Sequence, residues 1–142
     1  MRVRDVLTHK GDNVVTVRPD ATCRELLAVL AQHNIGAVVV SADGSTVAGI
    51  ASERDVVRRL NDRGAGILDG PVSEIATRLV ATCGPEDPLD ELRETMTLRR
   101  IRHIPVLSDG RLIGIVSIGD VVKNTISQLQ DERQHLIDYL QG

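Results

Sequence analysis

Apolar residues along this chain switch between a period of two and a period near 3.6, and the same switching order occurs twice. Val3 to Leu7 forms a short amphipathic start, and Asp12-Asn13 marks a turn. The β-branched run Val14-Val15-Thr16-Val17 predicts a short strand. Pro19-Asp20 and Thr22 then break the strand and offer helix caps. Leu26, Leu27 and Leu30 recur at helical spacing, so an amphipathic helix is predicted from Cys23 to Gln32, with Gly36 as its stop. Ala37 to Val40 is continuously apolar and predicts a buried strand. Asp43-Gly44 then predicts a hairpin turn, and Val47 to Ala51 the returning strand. A helix is expected from about Ser52 to Leu60.

Asn61 to Gly70 breaks this rhythm with Gly64, Gly66 and Asp69-Gly70, and reads as a linker. After it the pattern restarts. Pro71 to Ala76 resembles the opening segment, Val80 to Thr82 predicts the short strand, and Pro85-Glu86 replaces Pro19-Asp20. Leu89, Leu92 and Met96 stripe a second amphipathic helix. Ile104 to Leu107 answers the first buried strand, Asp109-Gly110 its turn, and Leu112 to Val116 its return. The offset is 66 residues up to the hairpin and 65 after it, so the second turn lacks one residue. Two copies of strand–helix–strand–strand–helix make an internal duplication. One copy has too few strands to cover both faces of its sheet. The expected fold is therefore α/β (α+β), with two β-α-β-β-α repeats packed through their sheets in pseudo-two-fold symmetry. The expected boundaries are residues 1–62, a linker at 63–71, residues 72–126, and a helical extension at 127–142.

That extension outlasts its counterpart. Val122, Ile126, Leu129, Leu136 and Leu140 follow alternating four- and three-residue steps, with Arg133 in the one missing place and Gly142 as terminator. Such a stripe suits either the body of its own domain or a subunit interface.

Composition narrows the picture in one respect. The 142 residues include no Phe, no Trp and one tyrosine, Tyr139, so the core must be aliphatic. This also argues against nucleic-acid readers that stack bases on aromatic rings. A net charge of −3 is too small to imply a polyanionic partner. The start Met1-Arg2-Val3-Arg4-Asp5 lacks a signal-peptide run, and no stretch is long and apolar enough to span a membrane. Cys23 and Cys83 have no metal-ligand spacing and are expected as buried, idle thiols in a cytoplasmic protein.

The candidate chemistry lies in a repeated Gly-x-x-Ser-x-x-Asp segment: Gly49, Ser52 and Asp55, then Gly114, Ser117 and Asp120. By itself Ser-x-x-Asp reads as a helix-capping box. Its recurrence in matching registers, beside strand glycines that could admit a ligand, opens a second reading. Helix N-termini suit phosphate, and a carboxylate one turn in can accept from both hydroxyls of a ribose. Arg102 and His103 stand at the mouth of a core strand, where guanidinium and imidazole can meet phosphates. The first repeat has Gly36 and Ala37 there, small enough to leave room for a flat ring, so the two clefts should differ. Arg54 adds a further phosphate ligand that its counterpart Gly119 cannot match.

With these motifs in order, residues 1 to about 126 resemble a tandem pair of cystathionine-β-synthase (CBS) domains, a Bateman module. Ser52-Glu53-Arg54-Asp55 is close to the family's Thr-Glu-Arg-Asp form. His103-Ile104-Pro105-Val106 resembles its hydrophobic-Pro-Val signature, and Asp5-Val6-Leu7 its Asp-Val-Met opening. The resemblance implies adenosyl ligands (AMP, ADP, ATP, NAD(H) or S-adenosylmethionine) held in clefts between repeats. One cleft would use Ser52 and Asp55 and the other Ser117 and Asp120. Ile35 to Ala37 and Ile101 to His103 would line the adenine and phosphate regions. Leu7 and Ala76 depart from the family's Met, and Val39 from its strand Pro.

The favoured expectation is a non-catalytic sensor that needs no cofactor, binds an adenine nucleotide as regulatory ligand, and acts as a homodimer on a regulated enzyme or transporter. The alternative is a structural or adaptor dimer working through its terminal helix, with vestigial clefts. A hydrolase is disfavoured, because no nucleophile–base pair stands out and His9, His33, His103 and His135 are scattered.

Overall fold

The computed structural model describes residues 1–10, 14–78 and 81–142. The turn expected at Asp12-Asn13 lies outside the described residues, as does Val80 of the expected second short strand. The chain forms α1 (Val3–Lys10), β1 (Thr16–Val17), α2 (Cys23–His33), β2 (Ala37–Val40), β3 (Gly49–Ser52) and α3 (Glu53–Arg63). It continues with β4 (Thr77–Arg78), α4 (Leu89–Arg99), β5 (His103–Ser108), β6 (Arg111–Ser117) and α5 (Ile118–Gln141).

The duplication holds down to individual register. Val17 pairs parallel with Val40, and 66 positions later Cys83 forms a parallel bridge to Val106. In the antiparallel hairpins Ala37 faces Ser52 and His103 faces Ser117. The turns differ more than their sequences suggest. Asp109 and Gly110, at φ 52° and 78°, make a two-residue turn, the positive-φ geometry that matches strand twist. The first connection is longer. There Asp43 Oδ1 accepts from the backbone N–H groups of Ser45 and Thr46 at 2.9 and 2.8 Å, which holds its carboxyl well below the usual range.

One helix end corrects the sequence reading. Helix α2 stops at Asn34, in the left-handed region at φ 52°, rather than at Gly36. Asn tolerates that conformation because its short side chain bonds locally. The equivalent residue after α4 is Arg100, at φ 55°. The linker is also structured. Ala65–Asp69 forms a short 3₁₀ helix whose Ile67 is buried in the first core.

Each half completes its core with a segment from the other. Val3 and Val6 of α1 are buried among Leu89, Leu92, Met96 and Ile104 of the second repeat. Val72 and Ile75, from the opening of the second repeat, are buried among Leu26, Val38 and Val56 of the first. Backbone bonds repeat the exchange: Val3 N–H donates to Asp87 O at 3.0 Å, and Val72 N–H to Ala21 O at 2.8 Å. Two backbone links also join the halves: Leu112 N–H of β6 donates to Ser45 O in the β2–β3 connection at 2.8 Å, and β4 pairs antiparallel with β3 to extend the first sheet.

The strand glycines serve this packing rather than a ligand. A Cβ on Gly49 would stand 2.6 Å from Thr77 O in β4, and one on Gly114 would stand 2.5 Å from a Leu7 methyl. Helix α5 has 24 residues, about 36 Å at 1.5 Å per residue. Only its first turns rest on the body. Beyond residue 126 nearly every position is exposed, including Leu129 and Leu136, each 60% exposed.

Candidate functional site

Between the halves lies a cleft of about 590 Å³, lined by residues of both repeats. Its first wall is the turn from β3 into α3, with Ser52, Arg54 and Asp55 beside Gly36. The opposite wall is the approach to β5, with Arg100, Ile101, Arg102 and His103. Thr77 and Arg78 of β4 lie between them. The predicted Ser52, Arg54, Asp55, Gly36, Ile101, Arg102 and His103 therefore share one space, although they come from two repeats. Ile35 packs on the first core and Ala37 is buried in β2, and neither lines this cleft.

Both Ser-x-x-Asp segments form complete capping boxes. Asp55 N–H donates to Ser52 Oγ at 3.2 Å, and Ser52 N–H donates to Asp55 Oδ2 at 2.9 Å. Asp120 N–H donates to Ser117 Oγ at 3.2 Å, and Ser117 N–H to Asp120 Oδ2 at 2.8 Å. Capping satisfies two otherwise orphaned N–H groups at each helix start. Each carboxylate has two oxygens with several lone pairs, so this leaves acceptor capacity. Asp55 Oδ1 accepts from Thr77 Oγ1 at 3.1 Å, an exchangeable bond on the cleft side.

The second half is arranged differently. Lys10, at the end of α1, places Nζ 2.8 Å from Asp120 Oδ2 and also donates to Ile115 O at 2.9 Å. Burial pushes the Asp120 carboxyl up. The Lys10 ammonium and the Ser117 hydrogen bonds outweigh it, leaving the carboxyl below the usual range. The cation thus pairs with the same Asp120 oxygen that caps α5. His103 is held below its ordinary value by burial and then by the Lys10 cation, with Asp120 opposing and Arg102 reinforcing. It is a neutral ring near pH 7. The two thiols are buried and free, and burial pushes Cys83 up to about 12.

Sequence reasoning missed Lys10, Arg58, Thr77, Arg78 and Arg100. For Arg58 a signal existed: it lies four residues after Arg54, on the same face of α3. For Lys10 and Thr77 none did, because their neighbours are distant in sequence.

An internal duplication whose two repeats both line one cleft defines a tandem domain pair, and the chain belongs to the CBS domain family, whose model matches residues 3–62 and 72–126. Among relatives, it is 36% identical over 148 residues to the CBS domain-containing protein CBSX3, mitochondrial, of Arabidopsis thaliana, covering 99% of this chain and 72% of that one. Among solved structures, it superposes on the CBS-domain containing protein ATU1752 from Agrobacterium tumefaciens with a TM-score of 0.83 and 48% identity, over 88% of this chain and 99% of that one. The CBS domain protein PAE2072 from Pyrobaculum aerophilum, solved with AMP, matches with a TM-score of 0.75 and 32% identity, over 84% and 89%. No helix among the described residues is long and apolar enough to cross a membrane.

Proposed function

We propose that the protein is a non-catalytic sensor that binds an adenosine-containing ligand in the cleft between its repeats and passes the change in geometry to another chain. The observation that carries this reading is the convergence of Ser52 and Asp55 from one repeat with Arg102 and His103 from the other. A carboxylate at a helix start suits a ribose diol, and guanidinium groups across the gap suit phosphate. A similar domain pair, PAE2072, was solved with AMP. Because the walls come from different repeats, a ligand that bridges them favours one spacing of the halves, which is the differential affinity that signalling requires. The regulated chain, an enzyme or a transporter, would read that spacing. The buried, unlinked thiols suit a reducing, cytoplasmic setting.

Of the two predicted half-sites, the one at Asp55 is open and the one at Ser117 and Asp120 carries Lys10. We assign one adenosyl ligand per chain. Native mass spectrometry of the protein with adenosine and AMP tests this. One bound ligand that disappears in Asp55→Ala supports it, whereas ligand retained by Asp55→Ala would refute the assignment.

Helix α5 favours a homodimer within the same proposal. Pairing two copies antiparallel about Asp131 sets Val122 against Leu140, Ile126 against Leu136 and Leu129 against Arg133 of the second copy. It also brings Arg133 of one copy within a turn of Glu132 of the other, so the charges complement themselves. An adaptor that uses only this pairing, with vestigial clefts, is the competing reading, and ligand binding separates the two.

A further inference from the structure

The open cleft has a charge opposite to that of the whole molecule. The chain is acidic, with 20 Asp and Glu against 17 Lys and Arg. Yet five arginines line this one cavity, against two carboxylates, Glu53 and Asp55. They come from four separate places: Arg54 and Arg58 from α3, Arg78 from β4, Arg100 from the end of α4, and Arg102 from the approach to β5. An arginine on an open helix face is ordinary, but convergence from four elements on one space is not. None of the five has an ion pair among the described residues, whereas Arg2, Arg4, Arg18, Arg24 and Arg93 all do. Asp55 is already engaged by Ser52 and Thr77, and Glu53 stands at the Gly36 side of the helix start.

Arg100 strengthens the case. It holds a left-handed backbone at φ 55° where its counterpart is Asn34. Arginine gains nothing from that conformation, and residues kept in sparsely populated regions cluster at functional sites. This residue lines the cleft.

From this we infer that the cleft selects by charge, taking a nucleoside di- or triphosphate and discriminating against monophosphates, uncharged nucleosides and sulfonium nucleosides. The inference rests on the adenosyl reading above for the nucleoside and on the arginines for the phosphate chain. One phosphate carries about −1.5 to −2 charge and cannot neutralise the excess of guanidinium over carboxylate, whereas a longer chain can. A cationic sulfonium would add to the repulsion.

Calorimetry with ATP, ADP, AMP, adenosine, S-adenosylmethionine and inorganic triphosphate tests it. The expected order is ATP and ADP tightest, then AMP, then adenosine, with S-adenosylmethionine last and about tenfold lost per phosphate removed. Arg102→Gln should lower ATP affinity about tenfold and leave adenosine unchanged. Equal affinities for ATP, AMP and adenosine, or tightest binding of S-adenosylmethionine, would overturn the charge inference while leaving the adenosyl reading in place. Inorganic triphosphate binding as tightly as ATP would do the reverse: the phosphate site stands and the nucleoside reading fails.

Discussion

Lys10 Nζ lies 2.8 Å from Asp120 Oδ2, across 110 positions of sequence, while the equivalent carboxylate of Asp55 meets, among the described residues, only the Thr77 hydroxyl outside its own helix cap. This one contact makes two nearly identical motifs unequal. It ties the end of α1 to the start of α5.

Removing the cation should release the second half-site. Lys10→Met is expected to raise the stoichiometry of nucleotide binding from one to two per chain by calorimetry. The new site should be the weaker one, because Gly119 stands where the first has Arg54. An unchanged stoichiometry would mean that backbone, rather than Lys10, closes that side.

Arg100 should show a trade between stability and binding. Arg100→Asn relieves the left-handed backbone and is expected to stabilise the fold by roughly 0.5–1 kcal/mol in urea unfolding. The same variant should lose about tenfold in ATP affinity. A variant that gains neither stability nor weaker binding would leave the conformation of Arg100 without a role.

The glycines predict contrasting tolerance. Gly49→Ala forces a methyl against Thr77 O and should cost about 1–3 kcal/mol, loosening β4 and with it Arg78. At Gly36 an added Cβ meets only the Glu53 carboxyl, at 3.8 Å, so Gly36→Ala should stay within about 0.5 kcal/mol. Thermal unfolding of the pair checks both.

His103 should make stability depend on pH. Burial lowers its folded pKa beneath the ordinary value of about 6.5, with Lys10 and Arg102 reinforcing and Asp120 opposing. The unfolded chain then binds a proton first as pH falls. Stability is full above about pH 6.5 and declines below it, until pH reaches the lower folded value. His103→Gln should therefore lose less stability than wild type between pH 7.5 and 5.5, measured by urea unfolding.

Truncation separates the two roles of the chain. Deleting residues 127–142 removes exposed Leu129, Leu136 and Leu140 without touching either core. Light scattering should show a dimer for the full chain and a monomer for the truncated one, and nucleotide affinity should be unchanged.

Much of this was legible in local pattern. The stripe of Leu26 and Leu30, the run Ala37 to Val40 and the Ser-x-x-Asp caps each depend on residues a few positions apart, and each took its expected form. What escaped depends on distance. Nothing near Lys10 marks it as a partner of Asp120, and nothing near Gly49 shows that a backbone carbonyl of β4 will lie against it. Ile67 and Leu68 sit in a glycine-rich stretch without a period, so the burial of Ile67 was invisible there. Asn34 ended α2 ahead of Gly36 because either residue tolerates the left-handed turn, and the first one reached took it. The cleft itself could be guessed from repetition, but the convergence of Asp55 and Arg102 on one space could not, since it crosses the repeats.

The exchange of opening segments has a consequence for how the molecule comes into being. A first repeat leaving the ribosome lacks Val72 and Ile75 and must wait for them, and the second finds its missing Val3 and Val6 on chain made long before. Cut after residue 62, the chain would yield two complementary fragments rather than two proteins. Each would expose apolar surface until it met the other. Melting should accordingly be one cooperative event, and a ligand that steadies one wall of the cleft steadies the whole.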